Sequence, residues 1–501
     1  MQQQKEQKLT RVKDQLSQWH ELKKELGKGG QGVVYRTADS ELLVKMPLKN
    51  GKKITDKEEI NHFQKRFENL YLLPLTNKMH ITRPLYLLEG QAGYVMQMMQ
   101  DMQPIGKWLP QILNKQLAKT FTRPSWLSEE VPLEVAYSLA MYANTGGTKR
   151  RLELLSQTSI ELLRLHSVGV IFMDISPDNI YCSTKPEHSE VWMIDADNLR
   201  FEGVSSKSGV ITPQYGAPEI VKGIDGGRVV SDTYSLALLA FKILTMSNAF
   251  EGQLFSDVVG DEDDWATDDS ESSKPNLEVQ AAQGELPFIF DAEDNSNSRV
   301  NGLPAELVLT PDVLYFFQRM FGKGRKEPWQ RPSLHSLPRL LAKAADSSIQ
   351  CHCGMSFYYQ STNDTQSCPY CNEHHSKLLV ATSYFYTSEG VSDPIWTWVT
   401  PFIDGQNIQL PRRISGDFDI DQHNMPMIEV NQFDQDRFLY VSAEDVRVDI
   451  LDNNHVQQLT NQWFLNEQQI EEGVQLYLHA PYSVIIEIKV KENNAIQTTQ
   501  Y

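Results

Sequence analysis

Near its N-terminus the chain changes its hydrophobic pattern twice. Residues 1–20 are almost entirely polar, which predicts a short lead-in helix. Residues 21–50 alternate apolar and polar positions, as half-buried strands do. Residues 54–73 instead carry apolar side chains at helical spacing, at Ile60, Phe63, Phe67 and Leu70. The pattern therefore predicts a small sheet followed by a helix.

Three glycines interrupt the first predicted strands. They are Gly27, Gly29 and Gly32 of ELGKGGQGVVYR, and Val34 follows two positions after the last of them. In a dinucleotide-binding loop such glycines open a helix, whereas here VVY continues a strand and ELLVKM forms the next one. The pattern favours a glycine-rich flap that covers the phosphates of a nucleotide.

Polar residues follow two short apolar runs in the middle of the chain. LHSVGVIFMDISPDNIYC places Asp174 after one run and Asn179 further along the same loop, and VWMI ends at Asp195. Phosphate transfer requires metal-holding oxygens and a group that orients the nucleophile, and Mg²⁺ prefers carboxylate and amide oxygens. We expect Asp174 to face an acceptor hydroxyl, and Asn179 and Asp195 to bind magnesium.

A second pair of charged residues is widely separated in the sequence. Glu219 ends the motif APE, and Arg331 lies in WQRPSL. A buried carboxylate needs a partner, and a guanidinium matches its geometry best. We therefore predict that Glu219 and Arg331 pair and stabilise the C-terminal lobe.

Composition limits the partners and the compartment. The 501 residues are enough for about three units at roughly 150 residues each, and the net charge of −18 argues against nucleic acid or an anionic membrane as the main partner. The N-terminus lacks the apolar core of a signal peptide, and no run of 18 apolar residues occurs. We expect a cytoplasmic protein.

Acidic residues are concentrated in residues 250–300. The first part of this segment is polar and rich in like charges, which predicts a solvated, loosely held insertion, with docking of a basic partner as the alternative. The second part, GELPFIF, carries aromatic side chains that we expect to pack back on the lobe.

Four of the five cysteines are clustered, at Cys351, Cys353, Cys368 and Cys371. Two thiolate pairs from neighbouring turns make the tetrahedral sulfur set that Zn²⁺ prefers, and clustering in a reducing compartment favours metal over disulfides. We predict a structural zinc ribbon, with disulfides or free thiols as the alternative and with His352 able to replace one thiolate. Cys182 stands apart and is expected to be an inert buried thiol.

From Leu378 onward the chain consists of short runs of strand-forming residues. LLVATSYFYT, IWTWVT, RFLYVSA, VQLYLHA and SVIIEIKV are divided by Gly, Asn, Asp and Pro turns. Several short strands at this spacing predict a β-sandwich.

Taken in order, the motifs are GxGxxG, VK, DxxxxN, an aspartate after an apolar strand, APE, SDxxS and RP. With them the chain resembles a protein kinase from the glycine loop to Arg331. The resemblance implies an α+β, bilobal protein kinase-like fold, and transfer of phosphate from ATP and Mg²⁺ to serine or threonine hydroxyls of a protein substrate. It implies that Asp174 is the catalytic base, that Asn179 and Asp195 are magnesium ligands, and that Lys45 holds the phosphates.

The resemblance also implies an ion-pair partner for Lys45 on the helix at 54–73. Glu68 is the first choice and Glu59 the second. The strand YVMQMM is expected to form the hinge, with the backbone of Gln97 and Met99 facing the adenine. The residues expected to bind nucleotide are Gly27, Gly29, Gly32, Val34, Lys45, Gln97, Met99, Asn179 and Asp195.

Some positions depart from the family pattern. Met173 replaces the arginine before the catalytic aspartate, Ser176 replaces a lysine, and Ala196 and Asp197 replace the phenylalanine and glycine of DFG. The alternative hypothesis is accordingly a pseudokinase scaffold that binds nucleotide without efficient transfer. A small-molecule kinase is a third possibility, although such enzymes generally lack the APE glutamate and its arginine.

A narrower resemblance concerns the second half of the chain. GELPFI, followed by LTPDVLYFFQRMF and RPSL, resembles bacterial kinase-like proteins that carry a zinc ribbon after the kinase and are associated with tellurite or chemical-stress loci. This resemblance implies a companion phosphatase and an adhesion-type metal-binding protein as partners. The C-terminal strands resemble a forkhead-associated domain, but Arg412, Arg413 and Ser415 do not reproduce its phosphothreonine-binding pattern.

The predicted boundaries follow from these segments. They are a lead-in helix at 1–20, a kinase N-lobe at 21–100, a kinase C-lobe at 101–345 with the acidic insertion near 250–300, a zinc ribbon at 346–377 and a β-sandwich interaction domain at 378–501.

Overall fold

The structure is a computed structural model of the chain. It describes residues 11–28, 32–110, 113–185, 188–203, 212–260, 277–363, 365–388, 390–403, 405–433, 436–441, 443, 445–452, 455–459, 462–479 and 481–493.

The N-terminal lobe is an antiparallel sheet with one long helix. Its strands lie in the order β1-β2-β3-β4-β7-β6, and β5 pairs with β4. The elements are β1 (Arg11–Lys13), β2 (Trp19–Lys28), β3 (Gly32–Thr37), β4 (Leu42–Lys49), β5 (Lys52–Lys53), α1 (Lys57–Tyr71), β6 (Pro84–Leu87) and β7 (Tyr94–Gln97). The side chain of Asp56 caps α1 by accepting from the N–H groups of Glu58 and Glu59, and Phe67 and Leu70 are buried. The helix predicted from the apolar spacing of residues 54–73 is therefore present as α1, with an apolar face.

The predicted lead-in helix is wrong for residues 11–20. Strand β1 and the first residues of β2 form an antiparallel pair, in which Val12 lies opposite His20. Val12 is fully buried, and the Asp14 carboxylate contacts the His20 ring at 2.8 Å. Pairing at the sheet edge buries Val12, whereas an isolated polar helix of this length is only marginally stable in water. Residues 1–10 lie outside the described part of the chain.

The second lobe is mainly helical. Its elements are β8 (Met102–Pro104), α2 (Lys115–Thr120), α3 (Leu133–Asn144), α4 (Gly147–Ser167), β9 (Val170–Ile171), β10 (Ile180–Ser183), β11 (Val191–Met193), β12 (Arg200–Phe201), α5 (Pro218–Val221), α6 (Val229–Thr245), α7 (Gln253–Gly260), α8 (Leu277–Ala282), α9 (Ala305–Val308), α10 (Pro311–Phe321) and α11 (Leu337–Asp346). The short strands form the sheet β11-β10-β8 and the pair β12-β9. They carry the loops on which the candidate site is built.

Helix α6 forms the centre of this lobe. Phe241 is fully buried and packs edge-to-face against Phe288, Phe317 and Phe321. Phe288 belongs to the GELPFIF segment, which therefore packs back on the lobe as its aromatic side chains predict. The most acidic residues of the insertion, 261–276, lie outside the described part of the chain.

A small hairpin and two antiparallel sheets follow α11. The elements are β13 (Ser348–Gln350), β14 (Ser356–Tyr358), β15 (Lys377–Thr387), β16 (Gly390–Pro401), β17 (Ile408–Pro411), β18 (Pro426–Phe433), β19 (Asp436–Val441), β20 (Val448–Asp452), β21 (His455–Gln458), β22 (Gln462–Leu465), α12 (Glu467–Glu472), β23 (Val474–Leu478) and β24 (Val484–Glu492). The sheets have the orders β16-β15-β24-β23-β20-β21 and β17-β18-β19-β22. Their apolar faces share one core, which contains the fully buried Trp396.

A buried carboxylate connects these sheets to the helical lobe. Asp346, at the end of α11, accepts hydrogen bonds from Nε and Nη2 of Arg413 at 2.7 and 2.8 Å and from Nε1 of Trp396 at 2.9 Å. The neighbouring Arg412 pairs with Asp445. Both arginines of the segment compared with a phosphothreonine reader thus bind carboxylates of the chain itself.

None of the helices in the described ranges has both the length and the apolar character needed to span a bilayer.

Candidate active site

Lys45 is the charged residue that the sheet of the N-terminal lobe provides to the site. It is on β4, where it pairs with Val34 of β3 on one side and Tyr94 of β7 on the other. Only 8% of the residue is exposed, so its ammonium group points into the interior rather than into water. Because side chains alternate between the two faces of a strand, the position of Lys45 along β4 decides which face of the sheet its side chain occupies.

The glycine-bearing strands β2 and β3 lie beside β4 in the same sheet. Gly27 pairs with Val34, and a Cβ atom at Gly32 would lie 3.1 Å from the carbonyl oxygen of Met46, which explains the close approach of β3 to β4. Gly29 lies outside the described residues. At the other edge, Gln97 ends β7 and is exposed, and Met99 follows it half-buried.

Asp174 lies on the loop after β9, and Asp232 fixes this loop. The Asp232 carboxylate accepts hydrogen bonds from the backbone N–H groups of Phe172 and Met173 at 2.7 and 2.9 Å. Asp174 is 6% exposed, and its Oδ1 accepts from both the N–H and the hydroxyl of Thr212, at 3.1 and 2.9 Å. A carboxylate in this position can accept a hydrogen bond from an alcohol.

Asn179 links Asp174 to the strand that carries Asp195. Its side-chain Nδ2 donates to the carboxylate Oδ2 of Asp174 at 3.1 Å, and its backbone carbonyl oxygen accepts from the backbone N–H of Ile194 at 2.8 Å. With the amide nitrogen used in this way, the amide oxygen is the atom that remains for a cation. Asn179 therefore contacts Asp174 through its side chain and, through its backbone, the residue that precedes Asp195.

Two carboxylates meet Lys45 from the loop after β11. Asp195 has a φ of 63°, and this left-handed turn brings it and Asp197 to the same ammonium group. Lys45 Nζ contacts Asp195 Oδ1 and lies 2.8 Å from Asp197 Oδ2. Tyr94 donates from its hydroxyl to Asp197 Oδ1 at 2.9 Å.

The prediction that a glutamate of α1 pairs with Lys45 is wrong. Glu68 is exposed, and Glu59 pairs with Lys49 at the surface. The side of α1 that faces the core carries Phe67, and Arg66 donates to the backbone carbonyl oxygen of Asp197 at 2.5 and 3.0 Å. The face of the helix that reaches the site thus contributes a cation and an aromatic ring, because Glu68 lies on the solvent side.

Charge balance at the site follows from these contacts. Burial alone would lower the pKa of Lys45, but the charges of Asp197 and Asp195 outweigh it and hold that pKa above its usual value. Burial raises the pKa of Asp195, and the charge of Asp197 adds to this against the opposing effect of Lys45. Added positive charge beside Asp195 would therefore stabilise its ionised form.

The predicted pairing of Glu219 with Arg331 is confirmed. Arg331 donates from Nη1 and Nη2 to the two carboxylate oxygens at 2.8 and 2.7 Å; the Arg331 side chain is fully buried and that of Glu219 is largely enclosed. Burial would raise the pKa of Glu219, but the hydrogen bonds and charge of Arg331 hold it below its usual value. The pair therefore stabilises the fold fully above the ordinary carboxyl pKa, and this contribution is lost as the pH falls through the lower folded-state value.

Replacing Glu219 with glutamine is expected to lower the free energy of unfolding by about 3 kcal/mol, because the buried guanidinium loses its counter-charge. Chemical denaturation of the purified chain measures this change. The matched control is Glu21→Gln, which breaks an exposed pair with Lys23 and should have a much smaller effect. Equal destabilisation by both variants would contradict the prediction.

The four clustered cysteines form a compact set of thiols. All four Sγ atoms lie within 4.8 Å of one another, with Cys351 3.5 Å from Cys371 and Cys353 3.8 Å from Cys368. Sulfur atoms bound to one tetrahedral zinc are about 3.8 Å apart, given Zn–S bonds of about 2.3 Å, whereas a disulfide needs about 2.05 Å. The donor set fits a zinc ion.

His375 and Cys182 lie outside the set of four thiols. His375 contacts the carbonyl oxygen of Gln350 at 2.8 Å and packs against His352 at 4.5 Å between ring centroids. Cys182 is fully buried in β10, and burial raises the pKa of its thiol to about 12. Cys182 is therefore the unreactive thiol that its isolation in the sequence predicts.

Sequence reasoning missed three residues that contact Asp174 or the acidic loop after β11. Thr212 contacts Asp174, and Tyr94 and Arg66 contact Asp197. Asp197 itself was recognised only as a departure from a motif. An acidic residue two positions after Asp195, at a place where glycine is expected, was the signal that could have identified it.

Comparison with known proteins adds to this geometry. Residues 20–271, half of the chain, match the family described as the protein kinase domain. The chain is 27% identical over 164 residues to the putative ribosomal protein S6 kinase alpha-1 of Caenorhabditis elegans, covering 30% of this chain and 18% of that protein. It is 31% identical over 112 residues to the serine/threonine-protein kinase pkn2 of Myxococcus xanthus, covering 21% and 13%.

A third relative is similar over a shorter stretch. The chain is 38% identical over 82 residues to the serine/threonine-protein kinase chk-2 of Caenorhabditis elegans, covering 16% of this chain and 17% of that protein. The match thus spans less than a fifth of the length of each of these three relatives. The family match itself includes Lys45, Asp174, Asn179, Asp195 and Glu219. This chain belongs to the protein kinase family.

Proposed function

We propose that the protein transfers the terminal phosphate of ATP to serine or threonine hydroxyls of a protein substrate. The observation that carries this proposal is a chain of contacts: Asn179 contacts Asp174, its backbone binds the residue before Asp195, and Asp195 contacts the buried Lys45. Relatives described as serine/threonine-protein kinases support it. The Glu219–Arg331 pair favours a protein kinase over a small-molecule kinase.

Asp174 is the residue we propose as the base. Its carboxylate is buried, and Oδ1 already accepts a hydrogen bond from the Thr212 hydroxyl at 2.9 Å. A substrate hydroxyl held in the same way would pass its proton to Asp174 as its oxygen attacks the phosphorus. Asn179 restrains Asp174 through Oδ2 and so fixes the direction in which the base points.

The nucleotide would be held by residues of both lobes. Lys45 provides a buried ammonium group for the phosphates, and Gly27 and Gly32 belong to the neighbouring strands of the same sheet. Gly29, the third glycine proposed to bind nucleotide, lies outside the described residues. The amide oxygen of Asn179 and the carboxylate of Asp195 would hold Mg²⁺, which when bound neutralises phosphate charge. The backbone of Gln97 and Met99 is proposed to face the adenine, and the backbone hydrogen bonds of β7 keep this segment in place.

Transfer of radioactive phosphate from ATP tests the proposal. Wild-type protein is expected to label itself or a generic acceptor protein on serine or threonine, and Lys45→Ala should reduce labelling by about 10²-fold because the phosphates lose their ammonium contact. Mass spectrometry of the product identifies the residue type. Equal labelling by both proteins would contradict this assignment of Lys45.

The second candidate is a pseudokinase that binds nucleotide without transfer. Ser176 is buried where the family carries a lysine near the transferred phosphate, and Ala196 replaces the phenylalanine of DFG. A thermal-shift titration with ATP and Mg²⁺, read beside the labelling assay, separates the candidates. Stabilisation by nucleotide without labelling supports the scaffold.

The C-terminal half is proposed to consist of a zinc ribbon and a β-sandwich that recruits partners. The four thiols support the ribbon, and the two sheets with a common core support a forkhead-associated-like sandwich. Arg413 is occupied by Asp346 and Arg412 by Asp445, which argues against phosphothreonine binding at these arginines. Recruitment would therefore use another surface of the sheets.

The narrower resemblance yields proposals of its own. We propose a bacterial protein of the tellurite or chemical-stress type that acts in the cytoplasm, with a companion phosphatase and an adhesion-type metal-binding protein as partners. The free state of all five cysteines fits a reducing compartment. The net charge of −18 supports partners other than nucleic acid or an anionic membrane.

A further inference from the structure

Lys45 is a buried cation, and a buried cation requires a counter-charge that stays with it. Helix α1 does not supply one, because Glu68 is exposed and Glu59 pairs at the surface. The carboxylates that contact Lys45 come from the loop after β11, as Asp195 and Asp197. One of these two has a second task, because Asp195 is the proposed magnesium ligand.

The surroundings of the two carboxylates differ. Asp197 has a donor on each oxygen, Lys45 on Oδ2 at 2.8 Å and the Tyr94 hydroxyl on Oδ1 at 2.9 Å. Its side chain is 12% exposed, against 21% for Asp195. Asp197 is thus the more enclosed carboxylate, and its direction is fixed from two sides.

We propose that Asp197 is the residue that positions Lys45 for the phosphates, in place of a carboxylate on helix α1. Asp197 keeps the ammonium group in the site, and Asp195 remains able to bind the cation. This inference rests on the proposed kinase function. Asp197, which stands where the family has the glycine of DFG, is thus a positioning residue and not a loss of function.

The same loop also holds helix α1. Arg66 donates to the backbone carbonyl oxygen of Asp197 and, at 3.0 Å, to the side-chain oxygen of Asn198. Phe67 packs edge-to-face on Tyr94, with ring centroids 4.8 Å apart. Helix α1 is therefore held at the site by Arg66, which donates to the carbonyl oxygen of Asp197. It is not held by a carboxylate on the helix that pairs with Lys45.

Nucleotide binding and transfer kinetics of the full chain test the proposal. Asp197→Asn keeps the shape and an acceptor for Tyr94 but removes the charge, and it is expected to lower kcat/KM for ATP by about 10²-fold through misplacement of Lys45. The matched control Glu68→Gln removes the carboxylate from α1 and should leave kcat/KM nearly unchanged. Loss of activity in Glu68→Gln with normal activity in Asp197→Asn would overturn the proposal.

A second measurement separates this inference from the kinase activity itself. Unfolding by urea without nucleotide is compared for Lys45→Met, Asp197→Asn and the double variant. Direct contact predicts that the two changes are non-additive by about tenfold in the unfolding equilibrium constant. Additive effects would overturn the role of Asp197 whatever the activity. If the two changes are non-additive but the wild-type protein transfers no phosphate, the proposed kinase function is wrong, while Asp197 is still the partner of Lys45.

Discussion

Asp174→Asn is expected to lower the rate of phosphate transfer by about 10³-fold, because an amide cannot accept the proton of the substrate hydroxyl. Asparagine retains the size of the side chain and an oxygen that can accept from Thr212, which contacts Oδ1 in the folded protein. The Lys45 ammonium group contacts Asp195 and Asp197 rather than Asp174, so binding of ATP should change little. Steady-state transfer of radioactive phosphate and a separate nucleotide titration measure the two quantities.

Asp178→Asn is the matched control for this experiment. Asp178 lies on the same loop but is exposed, and its replacement removes the same charge without touching the base. We expect it to retain transfer within about twofold, as is usual for surface substitutions. Transfer by Asp174→Asn at the wild-type rate would contradict the role of Asp174 as base. A parallel loss in both variants would instead indicate a general charge effect.

Removal of zinc is expected to produce the largest loss of stability. The hairpin that carries Cys351 and Cys353 contacts the start of helix α4, where the N–H of Lys149 donates to Ser356 Oγ at 2.8 Å and Lys149 Nζ donates to the carbonyl oxygen of Ser348 at 2.9 Å. A Cβ atom at Gly147 would lie 2.9 Å from the backbone of this hairpin, so the two elements are in close contact. Loss of the metal should therefore destabilise the helical lobe as well.

Metal analysis and thermal unfolding test the zinc prediction. The purified chain should contain one zinc ion, and Cys368→Ser or a strong chelator should lower the thermal midpoint by on the order of 10 °C, since metal-binding energy is folding energy in such sites. Cys182→Ala is the control, because it removes a buried thiol outside the cluster. A chain that contains no zinc and does not respond to the chelator would contradict the prediction.

Several features of the site were predictable because they depend on local patterns. Apolar spacing placed helix α1, since Phe67 and Leu70 must face a core. Short apolar runs placed the residues that follow them, Asp174 and Asp195, at the ends of strands. The pairing of Glu219 with Arg331 followed from the requirement that a buried charge be neutralised, and that requirement does not depend on separation along the chain.

Other features could not be predicted because they depend on which side chains the packing buries. The sequence offers Glu59, Glu68, Asp195 and Asp197 as partners for Lys45, and no periodicity distinguishes among them. The helix turns Glu68 to solvent, and the left-handed turn at Asp195 brings Asp197 to the lysine. The partner was therefore decided by the orientation of one helix and one turn.

The first residues of the chain and Arg413 show the same division. The polar composition of the first residues predicted a helix, but pairing at the edge of the sheet and burial of Val12 formed a strand instead. Arg413 could equally serve a ligand or the fold when only its neighbours in sequence are known. The end of helix α11 places Asp346 against it. The sequence by itself determined the elements, the chemistry-bearing loops and the clustered thiols through local spacing. Only the tertiary structure decided which charges neutralise each other, because desolvation acts on the side chains that packing encloses.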